Sequence, residues 1–399
     1  MQQPYPSLTD ATVLDWVVLK VVQRCNLNCD YCYVYNRGDD SWKSRAPVVS
    51  QLVIETLADR IREHCATHDL KRFVVELHGG EPLLLGKARM QRLIDTLRAR
   101  AKPVDLRFLL QTNGLLLDSE WLALFDKNDV SFGMSLDGPP EVNDRHRVFA
   151  NGSASTRRLL EVVRGLRAEG PLFDRLLGGV LAVIDPAANG GDLVRWFASE
   201  GFRSFEFLLP DGTYRNYPPG WTGAAPYRRF LIEAFGAWYS MGRDAPRIRL
   251  FEMMMLGLMG QPTTLDALGG DIRKLCVIES DGSIGISDVV RICGRDYAYD
   301  RLNIFEHGLD VHAAYHSLDR IQRACDQCQA CPAFKACGGG YLPHRHDGVS
   351  FDNPSIYCEA LYGLSRRMLE ELQAGLPASA IRYARFTAPN IPSKIDNVA

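Results

Sequence analysis

The chain has 399 residues, 46% hydrophobic and 24% charged, with a formal net charge of −2. This is the composition of a folded protein of two or three domains with a sizeable core, and the absence of a basic surplus argues against a dedicated nucleic-acid binder. The opening Met1-Gln-Gln-Pro-Tyr-Pro has no charged-then-apolar export segment. Nor does any apolar run reach the roughly 18 residues that a membrane span needs, so a cytoplasmic location is expected.

Strand-length apolar runs fall at 16–22, 73–77, 106–110, 130–136, 177–184 and 205–209, with helical patterns between them. In 87–100, Met90, Leu93, Ile94 and Leu97 recur at helical spacing. Asp118 is placed to cap the next helix, with Trp121, Leu122 and Phe125 on its inner face. Six strands alternating with helices predict parallel βα units closing into an open (β/α)6 partial barrel, with function at the C-terminal ends of the strands. Residues 210–227, crowded with Pro and Gly, predict a long rim loop that could wall a cleft with Tyr214, Tyr217 and Trp221. Met253-Met-Met255 reads as core filling. The expected domains are 1–240 (barrel), 241–270 (helical linker), 271–375 (a cysteine-rich domain) and 376–399 (a tail).

Eleven cysteines without an export signal point to metal rather than disulfides. Cys65 lies alone in a helical pattern and reads as a small buried hydrophobe. The run Cys25-Asn-Leu-Asn-Cys29-Asp-Tyr-Cys32 follows the first strand and places three thiols in one tight loop. A 4Fe–4S cubane usually takes four thiolates, so three leave one iron open to a small molecule. Zinc ribbons and redox pairs prefer C-x2-C spacing, which the x3 gap does not fit. With Tyr31 directly before the last cysteine, the run resembles the radical S-adenosylmethionine (SAM) superfamily.

That resemblance extends to the other strand ends. Gly79-Gly80-Glu81-Pro82 is similar to the motif that holds the SAM amino group. Asn113, after the third strand, and Ser135 with Asp137, after the fourth, fall where the family meets the ribose. Arg147 would fork onto the SAM carboxylate. The resemblance implies that the open iron binds SAM, that one electron breaks the sulfonium C–S bond, and that the resulting 5′-deoxyadenosyl radical abstracts a hydrogen atom from the substrate.

A second cysteine group comprises Cys276, Cys293, Cys325, Cys328, Cys331, Cys337 and Cys358. Two zinc sites are the plainer alternative. The block resembles the SPASM extension, which carries auxiliary 4Fe–4S clusters. Cys328, Cys331, Cys337 and Cys358 match the fully ligated outer cluster, and Cys276 begins the inner one. Two departures stand out. Ser287 occupies the cysteine place of the family's YPCD stretch, and Tyr341 occupies another usual cysteine place. The inner site is left with Cys276, Cys293 and Cys325. These imply three ligands with an open iron, an unusual fourth ligand, or no inner cluster. Asp288 matches an acid that acts as general base in sulfatase-activating members.

Residues 32–50 and 337–361 resemble a narrower group, the cyclophane-forming radical SAM/SPASM peptide maturases of the Xye/Grr/Fxs type. The expected reaction joins an aromatic ring carbon to a β-carbon of a precursor peptide, with Asp288, Tyr341 and His344 as catalytic candidates and His346 beside them. Expected partners are the peptide, an electron donor such as flavodoxin or ferredoxin, and no nucleic acid or membrane. Because the first strand starts near residue 15, the leader is expected to be read by the barrel–SPASM surface or by a separate leader-binding protein. Alternatives are a different side-chain oxidation (formylglycine, thioether, rearranged aliphatic residue) and a non-catalytic electron carrier.

Overall fold

The computed structural model of the chain describes residues 13–294, 297, 301–311 and 318–375. The expected tail at 376–399 lies outside the described residues. Six strands, β1 (Trp16–Val22), β2 (Arg72–Gly79), β3 (Asp105–Thr112), β4 (Val130–Ser135), β5 (Leu177–Val183) and β6 (Ser204–Leu208), pair in parallel and in chain order. The helices Gln51–Thr67, Lys87–Arg100, Ser119–Lys127, Thr156–Glu169 and Gly190–Ser199 lie between them. The capping expectation holds: Asp118 Oδ1 accepts the Trp121 amide at 2.8 Å, and Trp121, Leu122 and Phe125 are buried. Cys65 is buried within Gln51–Thr67, and Met254 lies fully in the core.

The sheet is larger than the six strands expected. β7 (Arg247–Ile248) continues in parallel beside β6. At the other edge, β8 (Leu275–Ile278) lies parallel to β1, and β9 (Ile284–Gly285) returns antiparallel to β8. The cysteine-rich region thus begins as an extension of the barrel sheet. A strand sends alternate side chains to opposite faces. Val17, Leu19, Val75, Leu77, Phe108, Leu110, Phe132 and Met134 enter the main apolar core. The alternate residues, among them Lys20, Glu76, His78, Gln111 and Ser135, face the lumen; contacts between Lys20 and His78 and between Gln111 and Ser135 show that they share that side.

The loop 210–227 is clasped to the cysteine-rich region. Tyr214 donates its hydroxyl to the Pro354 carbonyl at 2.9 Å, Arg215 Nε donates to the Asp347 carbonyl at 2.9 Å, and Tyr357 donates to the Pro210 carbonyl at 2.7 Å. Tyr217 stacks on Trp221 with centroids 5.1 Å apart, and Trp221 meets Tyr227 and Tyr357. The three aromatic residues expected to line a cleft therefore have a packing role, holding the loop to the helix Cys358–Gly375. No helix among the described residues is long and apolar enough to cross a membrane.

Candidate active site

The three cysteines of the first loop follow the C-terminal end of β1. Burial raises the Cys25 thiol to about 12, and Glu81, Cys29 and Cys32 raise it further. Cys29 is raised to about 11, again chiefly by burial, and Cys32 is raised by burial. Three mutually repelling, desolvated thiols are poor thiolates unless a cation compensates them. The loop is braced by its neighbours: Asn113 Nδ2 donates to Asn26 Oδ1 at 2.7 Å, and Asp30 meets His146 Nδ1 at 3.0 Å.

The rim motifs assemble around this loop. A Cβ on Gly79 would lie 2.2 Å from the Val22 carbonyl oxygen, and one on Gly80 2.1 Å from the Tyr35 hydroxyl, so only glycine lets β2 end against the loop. Glu81 is 1% exposed and fully engaged, accepting from the amides of Leu83 and Asn113 and from the Thr112 hydroxyl at 2.7–3.0 Å. It ties the end of β2 to the end of β3, which makes it a brace. Ser135 accepts from Gln111 Nε2 at 2.8 Å, and a Cβ on Gly133 would strike Gln111 Oε1 at 2.2 Å. Tyr31, Asp137 and Arg147 form one chain: Arg147 Nη1 donates to the Tyr31 hydroxyl at 2.9 Å, which donates to Asp137 Oδ2 at 2.6 Å. Asp137 Oδ1 accepts the Val183 amide at 2.9 Å.

Asp288 stands in the lumen beside β1 and β2. Its Oδ2 accepts from Lys20 Nζ and from the Tyr33 hydroxyl, while Oδ1 lies 3.5 Å from Arg291 Nη2. Burial alone would raise its carboxyl, but Lys20, His78 and Arg291 outweigh it and hold the group well below the usual carboxylate range. His78 is lowered to about 4 by burial and by Lys20, so it is neutral near pH 7. Lys20, Tyr33, His78 and Arg291 were not singled out from the sequence. Lys20, a lone charge in the run Trp16-Val-Val-Leu-Lys-Val-Val, is the one signal that pointed to them.

Tyr341 and His344 lie on the same rim. Burial raises the Tyr341 hydroxyl well above its usual range, Asp266, Asp211 and Asp288 raise it further, and its ring meets His344 edge-on with centroids 5.3 Å apart. His344 Nε2 is 3.9 Å from Asp211 Oδ1, and burial drops His344 to about 3. Asp211 is pushed up to about 7 by burial, against the pull of Arg37. His344 is thus a neutral ring beside an acid whose proton affinity burial has raised. Asp211 sits in the Pro-rich loop with no sequence signal of its own. His346 is turned toward packing, its ring against Tyr297 and Phe351.

In the cysteine-rich region, Cys325, Cys328, Cys331, Cys337 and Cys358 act on one another. Cys328, which shares a small apolar cluster with Cys325, is raised by Cys325, by burial and by Cys337 and Cys358; Cys358 is raised to about 11 by burial, Cys331 and Cys325. Arg345, 2% exposed, supports this nest by donating to the carbonyls of Phe351 at 3.1 Å, Gln322 at 3.2 Å and Arg323. Cys276 and Cys293 stand elsewhere: Cys276 lies in the main core, and Cys293 packs in a separate apolar cluster and feels Asp211.

Residues 19–179 match the model of the radical SAM superfamily. This stretch is a radical SAM domain. Its cofactors are accordingly a 4Fe–4S cluster and SAM, and the chain is an oxidoreductase of that chemistry. Among its relatives, the cysteine-type anaerobic sulfatase-maturating enzyme of Clostridium novyi (strain NT) is 22% identical over 368 residues, covering 90% of this chain and 96% of the relative. The serine-type anaerobic sulfatase-maturating enzyme of Bacteroides thetaiotaomicron is 27% identical over 364 residues, 85% of each chain. In fold, the chain is similar to native anSMEcpe with bound AdoMet and Cp18Cys peptide, with a TM-score of 0.75 and 21% identity over 90% of this chain and 97% of that one. It is less similar to Streptococcus suis SuiB bound to precursor peptide SuiA, with a TM-score of 0.58 and 15% identity over 87% and 76%. These relatives support a maturase of the sulfatase type; the narrower cyclophane-forming group expected from residues 32–50 and 337–361 gains no support from them.

The donor sets fit two clusters. Cys25, Cys29 and Cys32 would hold the SAM-binding cluster: the three thiols share one loop, Cys29 buried and the other two half-buried, with the glycine cradle and the Arg147–Tyr31–Asp137 chain at the neighbouring strand ends. Cys328, Cys331, Cys337 and Cys358 would supply the four ligands of an auxiliary cluster, with Cys325 beside Cys328. Of the trio expected for an inner cluster, Cys276 lies in the main apolar core, Cys293 packs against a second apolar cluster, and Cys325 lies beside Cys328 in a third.

Proposed function

We propose that this protein oxidises a side chain within a peptide or protein segment at its β-carbon, and that the side chain is a cysteinyl or seryl residue converted to formylglycine. The observation that carries this reading is Asp288. It is a carboxylate kept ionised at the lumen face, in the place of the acid that serves as base in sulfatase-activating relatives. When bound, SAM and the clusters supply the hydrogen-abstracting radical and the electron acceptor. The chain's own part is geometric and protonic. Oδ2 of Asp288 is occupied by Lys20 and Tyr33, whereas Oδ1 keeps one longer contact and has lone-pair capacity for a substrate hydroxyl or thiol proton. A base of such low affinity takes that proton only once the adjacent carbon is a radical and the heteroatom proton has become acidic. The clasped loop 210–227 walls the rim. Loss of the β-hydrogen, the heteroatom proton and one electron gives the aldehyde directly from a seryl residue, and from a cysteinyl residue a thioaldehyde whose sulfur leaves as hydrogen sulfide when water adds.

A cross-link, which the resemblance of residues 32–50 and 337–361 implies, is the second reading that the same assay separates. The cluster-loaded protein, reduced under anaerobic conditions with SAM, should convert peptides bearing a central Cys or Ser to a product that a hydrazide probe labels as an aldehyde. Asp288→Asn should still release 5′-deoxyadenosine but lose the aldehyde. Loss of two hydrogens without aldehyde, in a peptide carrying an aromatic residue, would replace this reading with the cross-link.

A further inference from the structure

At the end of the barrel away from the cysteine loop, three metal-ligating side chains meet. His64 and His68 stand four residues apart at the end of the helix Gln51–Thr67, so both project from one face. Their ring centroids are 4.7 Å apart. Asp310, from the cysteine-rich region, reaches them both: its Oδ1 is 2.9 Å from His64 Nδ1 and 2.5 Å from His68 Nε2. All three ligand atoms fall within 4.8 Å of one another. We propose that these residues bind a divalent transition-metal ion of the zinc class, and that the ion pins the loop 301–310 to the barrel helix. The proposal goes beyond the oxidation proposed above and does not depend on it.

The bonding of His64 carries the argument. Its Nε2 is 2.7 Å from the Leu14 carbonyl oxygen, and a carbonyl can only accept, so Nε2 bears the proton. In the neutral ring Nδ1 then presents a lone pair. That lone pair is buried, with His64 3% exposed, and it faces a carboxylate oxygen. Nδ1 makes no hydrogen bond there, so a second proton on the ring is not what holds Asp310. Two lone pairs this close call for a cation between them. A metal-bound imidazole characteristically donates its other N–H to a carbonyl or carboxylate, which is the role of the Leu14 contact. Two imidazoles and a carboxylate, with water in the fourth place, are a donor set of zinc. Tetrahedral ligands at about 2.0–2.2 Å from the ion stand about 3.3–3.6 Å from one another. His68 and Asp310, the more exposed of the three, need only small side-chain rotations to close on it.

The place of the site says what the ion does. Leu14 lies just ahead of β1, whereas the SAM-binding cysteines follow the far end of that strand. The ion would stand at the N-terminal face of the barrel, the face that serves stability rather than reaction. Arg60, one turn before His64, donates through Nε to the Ile304 carbonyl at 2.9 Å. Leu302, Ile304 and Leu309 of the same loop enter the main core, and the Ile304 amide donates to the Gly282 carbonyl at 2.9 Å. Arg60 thus holds one end of the loop, and the metal holds the other through Asp310. Together they join the helix, the approach to β1 and the β8–β9 hairpin.

Zinc content, read independently of activity, tests this. The cluster-loaded protein, its cluster cysteines already taken up by iron, is brought to equilibrium by dialysis against zinc sulfate. The wild type should take up about one zinc per chain more than His68→Ala or Asp310→Asn, with equal iron in all three. Crystals of the wild type soaked in zinc sulfate and measured at the zinc edge should show a peak about 2.0–2.2 Å from His64 Nδ1, His68 Nε2 and an Asp310 carboxylate oxygen. Zinc should raise the melting temperature of the wild type by several degrees and leave that of Asp310→Asn where it is. Equal zinc uptake by the variants, no anomalous peak at these residues, or a wild-type melting temperature unmoved by saturating zinc would each overturn the proposal. The formylglycine reading is judged separately, by its own aldehyde assay.

Discussion

Tyr31 links two charges that would otherwise face each other only across a gap. Its hydroxyl receives Arg147 and gives to Asp137, both buried. Their motifs lead one to expect all three as SAM contacts; their mutual bonding was not legible, because 106 residues separate Tyr31 from Asp137. Burial raises Asp137 and Arg147 opposes that rise. Tyr31→Phe removes one hydrogen bond to a buried carboxylate, a loss of about 1–3 kcal/mol in the positioning of Arg147. The expected outcome is unchanged iron content with a KM for SAM raised about 10-fold or more, read as 5′-deoxyadenosine formed against SAM concentration. An unchanged KM would show that the chain serves folding alone.

Among the elements, the strands were readable because their apolar runs are long and their neighbours are sequential. Residues 16–22 and 87–100 were bounded as they fold, and the other strands were met within a residue or two. β8 was missed for the opposite reason. Four residues, Leu275-Cys-Val-Ile, give little periodicity, and their partner β1 lies more than 250 residues away. The core-facing position of Cys276 was hidden for the same reason, since spacing cannot tell which face of an unseen strand a thiol takes. The lumen faces of β2 and β6 carry a further cost hidden from sequence. Glu76 and Glu206 are each raised to about 7, chiefly by burial, with Trp16 and Arg249 as partial compensation. A carboxyl raised in the folded state binds more protons than the unfolded chain, so its contribution is full below about pH 4 and is lost as pH rises through 7. The melting temperature of the loaded protein should therefore fall between about pH 5 and pH 8. Glu76→Gln should flatten part of that fall, raising the melting temperature at pH 8 more than at pH 5. An equal shift at both values would mean that the carboxyl is ionised throughout.

At the scale of the whole molecule, the radical-generating loop and the cysteine-rich region are joined by buried charge. Arg291, with its side chain 1% exposed, meets Glu279, Asp39 and Asp288. Glu279 also takes Gln23 Nε2 at 2.6 Å, and Arg45 reaches Asp281 at 2.6 Å. The strip connects residues 23–45 to the β8–β9 hairpin and ends at the proposed base. A buried ion pair gives little net stability, but deleting one partner strands the others. Arg291→Met leaves three carboxylates short of a cation and should cost about 3–5 kcal/mol. The lost stability should return in part in Arg291→Met/Glu279→Gln, which removes one of the stranded charges. The same substitution acts on chemistry with a definite sign. Arg291 helps hold Asp288 ionised, so without it the carboxyl rises, and the acid limb of peptide oxidation should move to higher pH while Lys20 and Tyr33 still hold the group. Stability and oxidation measured on the single and double variants separate the two roles. If the double variant recovers its melting temperature but keeps the shifted limb, the strip both clamps the two regions and sets the proton affinity of the site. If the limb returns with stability, Arg291 acts on Asp288 only by holding the hairpin in place.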